Sequence, residues 1–422
     1  ALPPTPTNVA AAASVPDVKQ LSLLTEEEQS SIFETLKKLY KRKVRPLEVA
    51  SGYAHFHSQP LNAADFDAKP MILLLGQYSV GKTTFIRSLV QRDWVGQRIG
   101  PEPTTDRFTA IMSGTADERL IPGHALAMQS DRPFQALASF GNNFLTKFDG
   151  AEINGSPFLD QCTLIDTPGV LAGEKQRMGR DYDFKKVIQW FAERADCIIV
   201  LFDAHKLDIS DELRNVLNTL RPHQDKVKVL LNKADQVNSQ QLMRVYGALM
   251  WQLGKVLNTP EVCRVYVGSF WDQPLVNTEN AALLAREKED LMNELSDLPR
   301  NAALRRINEL VKRTRSVKVH AYIIHYLRKQ MPYTFGKKEK QQRLIGRLEN
   351  EFVQCARRYN LPLGDFPNLD EFRTNLLQIK DISKFQKLDK SLVKEMDRVL
   401  ANDIAKLLEK CSIQTAPMDD PY

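Results

Sequence analysis

The segment Gly76-Gln-Tyr-Ser-Val-Gly-Lys-Thr83 constrains this chain more than any other feature. It matches G-x-x-x-x-G-K-[ST], with the apolar run Met71–Leu75 leading into it and Phe85, Ile86, Leu89 and Val90 following at helical spacing. Strand, glycine loop and helix in that order make a phosphate cradle. The glycines let backbone N–H groups turn inward, and the helix N-terminus adds a favourable dipole. Gln77, Tyr78, Ser79, Val80 and Thr84 complete the wrapping loop. Lys82 is expected on the β- and γ-phosphates, and the Thr83 hydroxyl on Mg²⁺.

Two further motifs follow, each after an apolar run. Asp166-Thr-Pro-Gly169 follows Cys162–Ile165 and fits the D-x-x-G segment, whose Asp holds Mg²⁺ through water and whose Gly senses the γ-phosphate. Asn232-Lys-Ala-Asp235 follows Val227–Leu231 and fits N-K-x-D, the base-reading element of GTPase-type folds. Three motifs in the right order identify a P-loop NTPase of GTPase type, and the last one by itself indicates GTP. Between the first two lies Gly100-Pro-Glu-Pro-Thr-Thr-Asp106, the expected switch loop. Thr105 is preferred over Thr104 as the residue completing the Mg²⁺ shell and holding attacking water, although spacing does not separate them. Val170 stands where a Ras-like enzyme would use glutamine to orient that water. Slow intrinsic hydrolysis that depends on assembly to order the switch loops is therefore expected.

With 422 residues, 43% hydrophobic and 26% charged, the chain has the composition of a globular protein of two or three domains. No run approaches the roughly 20 apolar residues of a membrane span. The five cysteines are scattered without a CxxC pair and read as reduced cytosolic thiols. Between about 69 and 275, short apolar runs alternate with helical stretches, as in a parallel sheet covered on both faces; Arg264–Gly268 is the last such run. Thr25 and Glu28 form a capping-box pattern before a helix over about 26–43, and long helical patterns resume after about 280. The expected architecture is an α/β P-loop NTPase domain, mostly parallel, inserted into an α-helical domain built from N- and C-terminal segments. The divisions are 1–20 (linker or tail), 21–67 (first helical part), 68–282 (nucleotide-binding domain), 283–410 (second helical part) and 411–422 (tail).

Several runs resemble the EH-domain-containing (EHD) ATPases, relatives of dynamin. They are Gly76-Gln-Tyr-Ser79, Gly100–Asp106, Gly173-Glu-Lys-Gln-Arg177, Leu201-Phe-Asp-Ala-His-Lys-Leu-Asp-Ile-Ser-Asp211, Gln241–Trp251 and Asp365-Phe-Pro-Asn-Leu369. The similarity covers about 35–410. It implies a dynamin-type G domain and a slow, assembly- and lipid-stimulated ATPase. Such a protein dimerises through that domain, oligomerises into rings or helices, and remodels membrane in endocytic and recycling traffic. It implies ATP rather than GTP as the nucleotide, with Lys233 and Trp271 lining the base pocket and Trp251 in the dimer interface. It also implies a cytoplasmic protein, peripheral on endosomal or plasma membranes. The family P-loop usually has Thr where this chain has Val80, a position that contributes mainly backbone. No EF-hand calcium-loop pattern occurs in the sequence, so the EH module is not found here. The Pro/Ala-rich start without an initiator Met leads to the expectation that it preceded residue 1, as in plant and protist-type members.

Between Lys312 and Arg343 there are ten Lys/Arg and one acidic residue, Glu339. At the centre, Met331-Pro-Tyr-Thr-Phe-Gly-Lys-Lys338 breaks two helices. Cations near an anionic leaflet contribute about 1 kcal/mol each, and a buried Phe roughly 1.5–3 kcal/mol. From charge alone, a solvated basic helix hairpin is slightly favoured. Nucleic acid is not expected as a partner, because no recognised motif accompanies the run. The resemblance makes this loop the membrane-inserting tip, with Phe335, Lys337 and Lys338 as contacts on anionic lipid. Two other functions stay open: a guanine-nucleotide switch that recruits effectors without remodelling membrane, and a scaffold in which nucleotide is structural. Asp203, His205 and Asp208 read as structural or switch-supporting.

Overall fold

A computed structural model describes residues 26–97, 107–114, 117–170, 181–207, 209–257, 264–333 and 335–412. The Thr25 cap, the 1–20 segment, the switch loop with Thr104 and Thr105, Gly173–Arg177 and Asp208 lie outside the described residues, as does the tail beyond 412.

Eight strands form one sheet: β1 (Met71–Gly76), β2 (Phe108–Ser113), β3 (Arg119–Pro122), β4 (Phe148–Ile153), β5 (Thr163–Asp166), β6 (Cys197–Asp203), β7 (Val227–Asn232) and β8 (Val265–Val267). Their order is β3-β4-β2-β5-β1-β6-β7-β8. Only β2–β5 and β3–β4 run antiparallel, so the sheet is mixed and mostly parallel. β1 lies between β5 and β6, and every residue of β1 is buried. Its Val/Ile/Leu character follows, because alternate side chains enter apolar layers on opposite faces.

Strands β2, β3 and β4 were not expected from the sequence. Phe148-Asp-Gly-Ala-Glu-Ile153 is buried throughout despite two acidic residues. Asp149 accepts from Arg107 at 2.8 Å, and Glu152 accepts from Arg119 at 2.6 Å and Arg132 at 2.9 Å. Buried carboxylates are tolerated when paired in this way, and the pairing makes the strand invisible to hydrophobic patterning.

The helix Glu26–Leu39 runs through one widened turn, Tyr40–Val44, into the helix Arg45–Ser51. Pro46 sits in the first turn of that second helix. Pro299 likewise lies inside Ala281–Arg300, one residue before the end of that helix.

Ile32, Leu36, Tyr40 and Val44 pack with Ile307, Leu310 and Val317 of the helix Ala302–Gln330 and with Val393, Met396 and Leu407. The N-terminal helix therefore shares its core with the C-terminal helices. Among the described residues, no helix is long and apolar enough to cross a membrane.

A histidine pair lies where these helices meet. His57 and His320 approach to 3.2 Å through Nε2 and Nδ1, Tyr53 stacks on His57 with centroids 4.3 Å apart, and Phe56 stacks on Phe372 at 4.6 Å. Burial, then the nearby Arg313 charge, push the His57 imidazole down to about 4; burial pushes His320 well below its ordinary range. Both depressed values mean that the unfolded chain takes up protons first as pH falls through about 6.5. Stability is complete above that pH and lost toward pH 4, by about 1.4 kcal/mol per pH unit for each imidazole. Urea denaturation at pH 7 and pH 5 checks this: His57→Gln should lose less stability between the two than the parent.

Candidate functional site

The three motifs converge at the C-terminal ends of β1, β5 and β7. Gly76 ends β1 so close to β6 that a Cβ there would stand 2.7 Å from the Leu201 carbonyl oxygen. Gly81 adopts φ +90°, and its Cβ would stand 2.5 Å from Asn232 Nδ2. That amide donates to the Val80 carbonyl at 2.9 Å, so the base motif braces the phosphate loop from behind. The Val80 side chain is buried in the core, and its contribution to the loop is its backbone. Gln77 and Tyr78 are half-buried and Ser79 is exposed on the rim.

Lys82 opens the helix Lys82–Val90 and is buried, its Nζ donating to the carbonyls of Gly76 at 3.3 Å and Gln77 at 3.1 Å. Thr83 Oγ1 donates to Asp166 Oδ2 at 3.1 Å. Thr84 is half-buried on the same turn. Asp166 is itself buried, and its Oδ1 has no hydrogen-bond partner among the described residues. Burial pushes this carboxyl up to about 6, against the opposing influence of Lys82 and Thr83. An ammonium, a threonine hydroxyl and a buried carboxylate oxygen lacking a partner form a donor set that fits a triphosphate with Mg²⁺.

The Asp166–Gly169 loop folds back on the phosphate loop. Tyr78 N–H donates to the Val170 carbonyl at 3.3 Å, and Val170 N–H to that of Gly76 at 3.1 Å. A Cβ on Gly169 would stand 2.8 Å from Tyr78 Cα, so only glycine allows this approach. The Val170 side chain is buried in the core and does not face the site.

At the base end, Lys233 adopts φ 58° and its Nζ donates to the Ser79 carbonyl at 2.6 Å and to Asp203 Oδ2 at 2.7 Å. Asp235 is buried, and its Oδ2 accepts from the Val276 N–H at 3.2 Å. Ala234 N–H donates to the Gly268 carbonyl at 3.1 Å, joining the base motif to the loop carrying Trp271, which is 61% exposed. Asp203 and the Val276 main chain were not assigned to the base end from sequence. A backbone donor has no residue signature, and Asp203 becomes its neighbour only through the β6–β7 pairing.

Away from this site, Trp251 is 69% exposed on the helix Ser239–Leu257, with Lys255 Nζ 4.6 Å above its ring. Tyr333 is 100% exposed and Phe335 91%. Lys338 is exposed, whereas Lys337 Nζ donates to Ser383 Oγ at 3.1 Å and lies 3.8 Å from Asp381. The loop around 381–384 thus lies beside the tip and brings an acidic residue that charge counting over 312–343 did not include.

Comparison with known proteins agrees with these features. Residues 72–234 match the Dynamin family, 35–67 the N-terminal EH-domain containing protein family, and 301–408 a domain of unknown function (DUF5600). EH domain-containing proteins 1 and 3 of Homo sapiens are each 54% identical over 378 residues, covering 90% of this chain and 70% of theirs. EH domain-containing protein 2 of Arabidopsis thaliana is 54% identical over 384 residues, with the same coverage. One solved chain of an oligomerised bacterial dynamin pair covers 96% of this chain and 79% of its own, at 15% identity and a TM-score of 0.41, too distant a likeness to carry function. With more than half its residues shared across nine-tenths of its length, this chain belongs to the EH-domain-containing family, and its nucleotide-binding domain is of dynamin type.

Proposed function

We propose that this protein binds and slowly hydrolyses ATP, assembles on anionic membranes through G-domain dimers and larger rings or helices, and remodels them. The observation that carries this is the helix Ala302–Gln330. Its 29 residues span about 43 Å and join the base of the nucleotide-binding domain to the exposed aromatic tip. At its start Arg305 Nε donates to buried Asp196 at 3.1 Å, and Glu309 accepts from Lys226 at 2.8 Å. At its end the chain turns out through Tyr333 and Phe335. One helix thus links the edge of the sheet opposite the nucleotide site to the exposed tip.

In this reading, residues 68–282 form the nucleotide-binding domain. Residues 21–67 and 283–410 form the helical domain, with 1–20 and 411–422 as flanking segments. Lys82 holds the β- and γ-phosphates, Thr83 and Asp166 hold Mg²⁺, and Gly169 reports the γ-phosphate. Mg²⁺, when bound, neutralises charge on the phosphate oxygens. Thr105 completes the metal shell and holds the water that Val170 cannot. Trp251 lies in the dimer interface, and Phe335, Lys337 and Lys338 meet the lipid. The endocytic and recycling role, and a cytoplasmic protein peripheral on endosomal or plasma membranes, are carried over from the family.

ATP rather than GTP is carried over from the family resemblance, because Asp235 accepts from Val276 N–H through one oxygen and keeps acceptor sites for a base. In this reading Lys233 and Trp271 contact the base by its faces.

Hydrolysis of ATP and GTP measured side by side, with and without anionic liposomes, tests this proposal. ATP-selective turnover that rises with liposomes is expected. Phe335→Ala should weaken lipid engagement at least about tenfold per tip and remove the rise, because burying one Phe contributes roughly 1.5–3 kcal/mol, multiplied across an assembly by avidity. GTP-selective turnover indifferent to lipid would instead establish a guanine-nucleotide switch.

A further inference from the structure

Asp203 is placed against the base motif with both oxygens engaged. It ends β6, and only 13% of its side chain is exposed. Oδ1 accepts from His205 N–H at 2.8 Å, which fixes the plane of the carboxylate. Oδ2 then points at Lys233 Nζ, 2.7 Å away. The lysine needs such an anchor. Its backbone is left-handed at φ 58°, a conformation that costs a non-glycine residue free energy, and its long side chain loses rotamer freedom when fixed. A fixed carboxylate with a charge-assisted hydrogen bond supplies direction as well as energy.

We propose that Asp203 is a positioning residue for nucleotide selection, holding the Lys233 ammonium so that the lysine's methylene stem lies flat against the purine. The inference rests on the reading above that Lys233 lines the base pocket. Asp203 meets the nucleotide only through Lys233. It therefore governs the part of the affinity that comes from the base and leaves the part that comes from the phosphates. Lys233 also donates to the Ser79 carbonyl at 2.6 Å, and Ser79 is itself left-handed at φ 63°, so a rival role exists: Asp203 could merely brace the phosphate loop. The two roles differ in what a base-free ligand experiences.

Equilibrium binding of ATP, GTP and inorganic tripolyphosphate to the full chain, in the parent and in Asp203→Ala, Asp203→Asn and Lys233→Ala, separates them. Asp203→Ala should weaken ATP roughly tenfold or more, the size of one hydrogen bond to a charged group, while tripolyphosphate binding stays within about twofold. Asp203→Asn keeps an acceptor and should fall between. Lys233→Ala, which removes the stem as well, should weaken ATP at least as much as Asp203→Ala, and adding Asp203→Ala to it should change nothing further. Equal weakening of ATP and tripolyphosphate, or no weakening of either, would overturn the proposal. A melting temperature matching the parent's shows that a variant remains folded. A parent that prefers GTP would refute the ATP reading instead, and that result is visible before any Asp203 variant is compared.

Discussion

Lys82→Ala is expected to lower ATP turnover at least about 10²-fold, the scale lost when one preorganised charge-stabilising donor is removed from an active site. Membrane remodelling should disappear with it. The buried ammonium donates to the carbonyls of Gly76 and Gln77. A charge-assisted bond from it to phosphate oxygens would make nucleotide affinity itself depend on the lysine. Its loss also reaches the metal position. Burial already pushes Asp166 up to about 6, with Lys82 the foremost charge opposing the shift. Without that cation the carboxyl rises further and becomes a poorer Mg²⁺ ligand near neutral pH. Calorimetric ATP binding and electron microscopy of liposomes measure the two consequences together. Intact tubulation with binding abolished would make the protein a scaffold in which nucleotide is incidental.

Asp196→Ala is expected to destabilise the fold by about 3–5 kcal/mol, as when one partner is deleted from a buried ion pair. Asp196 stands just before β6, fully buried, and accepts from Met71 N–H at 2.8 Å and from Arg305 at 3.1 Å, with Arg306 3.6 Å away. Burial works to raise its carboxyl, but the two guanidiniums prevail and hold it below the usual carboxylate range. Removing the carboxylate leaves buried Arg306 with Glu309 as its remaining ion-pair partner and the first amide of β1 without its acceptor. Asp196→Asn keeps that acceptor and should lose less. Guanidinium denaturation of both variants measures the difference, and a parent-like midpoint in Asp196→Ala would show that this clamp adds nothing. The clamp also anchors the start of the long helix. Weakening it should therefore reduce lipid stimulation of turnover more than turnover without lipid.

How much of this was legible in the chain depended on the distance over which each feature is encoded. The phosphate loop, Asp166–Gly169 and Asn232–Asp235 could be read because each is a short segment at the end of an apolar strand. Their chemistry is carried by side chains or glycines at fixed local spacing. The helical periodicity of Ile32, Leu36 and Tyr40, without a sheet of its own, likewise pointed to a partner among the C-terminal helices, and their shared core contains Ile307, Leu310 and Val393. The strand Phe148–Ile153 was hidden, since Asp149 and Glu152 are buried only because Arg107, Arg119 and Arg132 come from elsewhere in the chain to meet them. The fine structure of the base end was hidden for a related reason. That Asp203 faces Lys233 follows from the pairing of β6 with β7, and that Asp235 accepts from Val276 is a contact with a main-chain amide common to nearly every residue. Sequence by itself determined the class of fold and the position of the phosphate loop, because local spacing encodes both. Tertiary structure alone decided which partners the base-reading groups already hold, because those partners are distant in the chain and become neighbours only when the sheet forms.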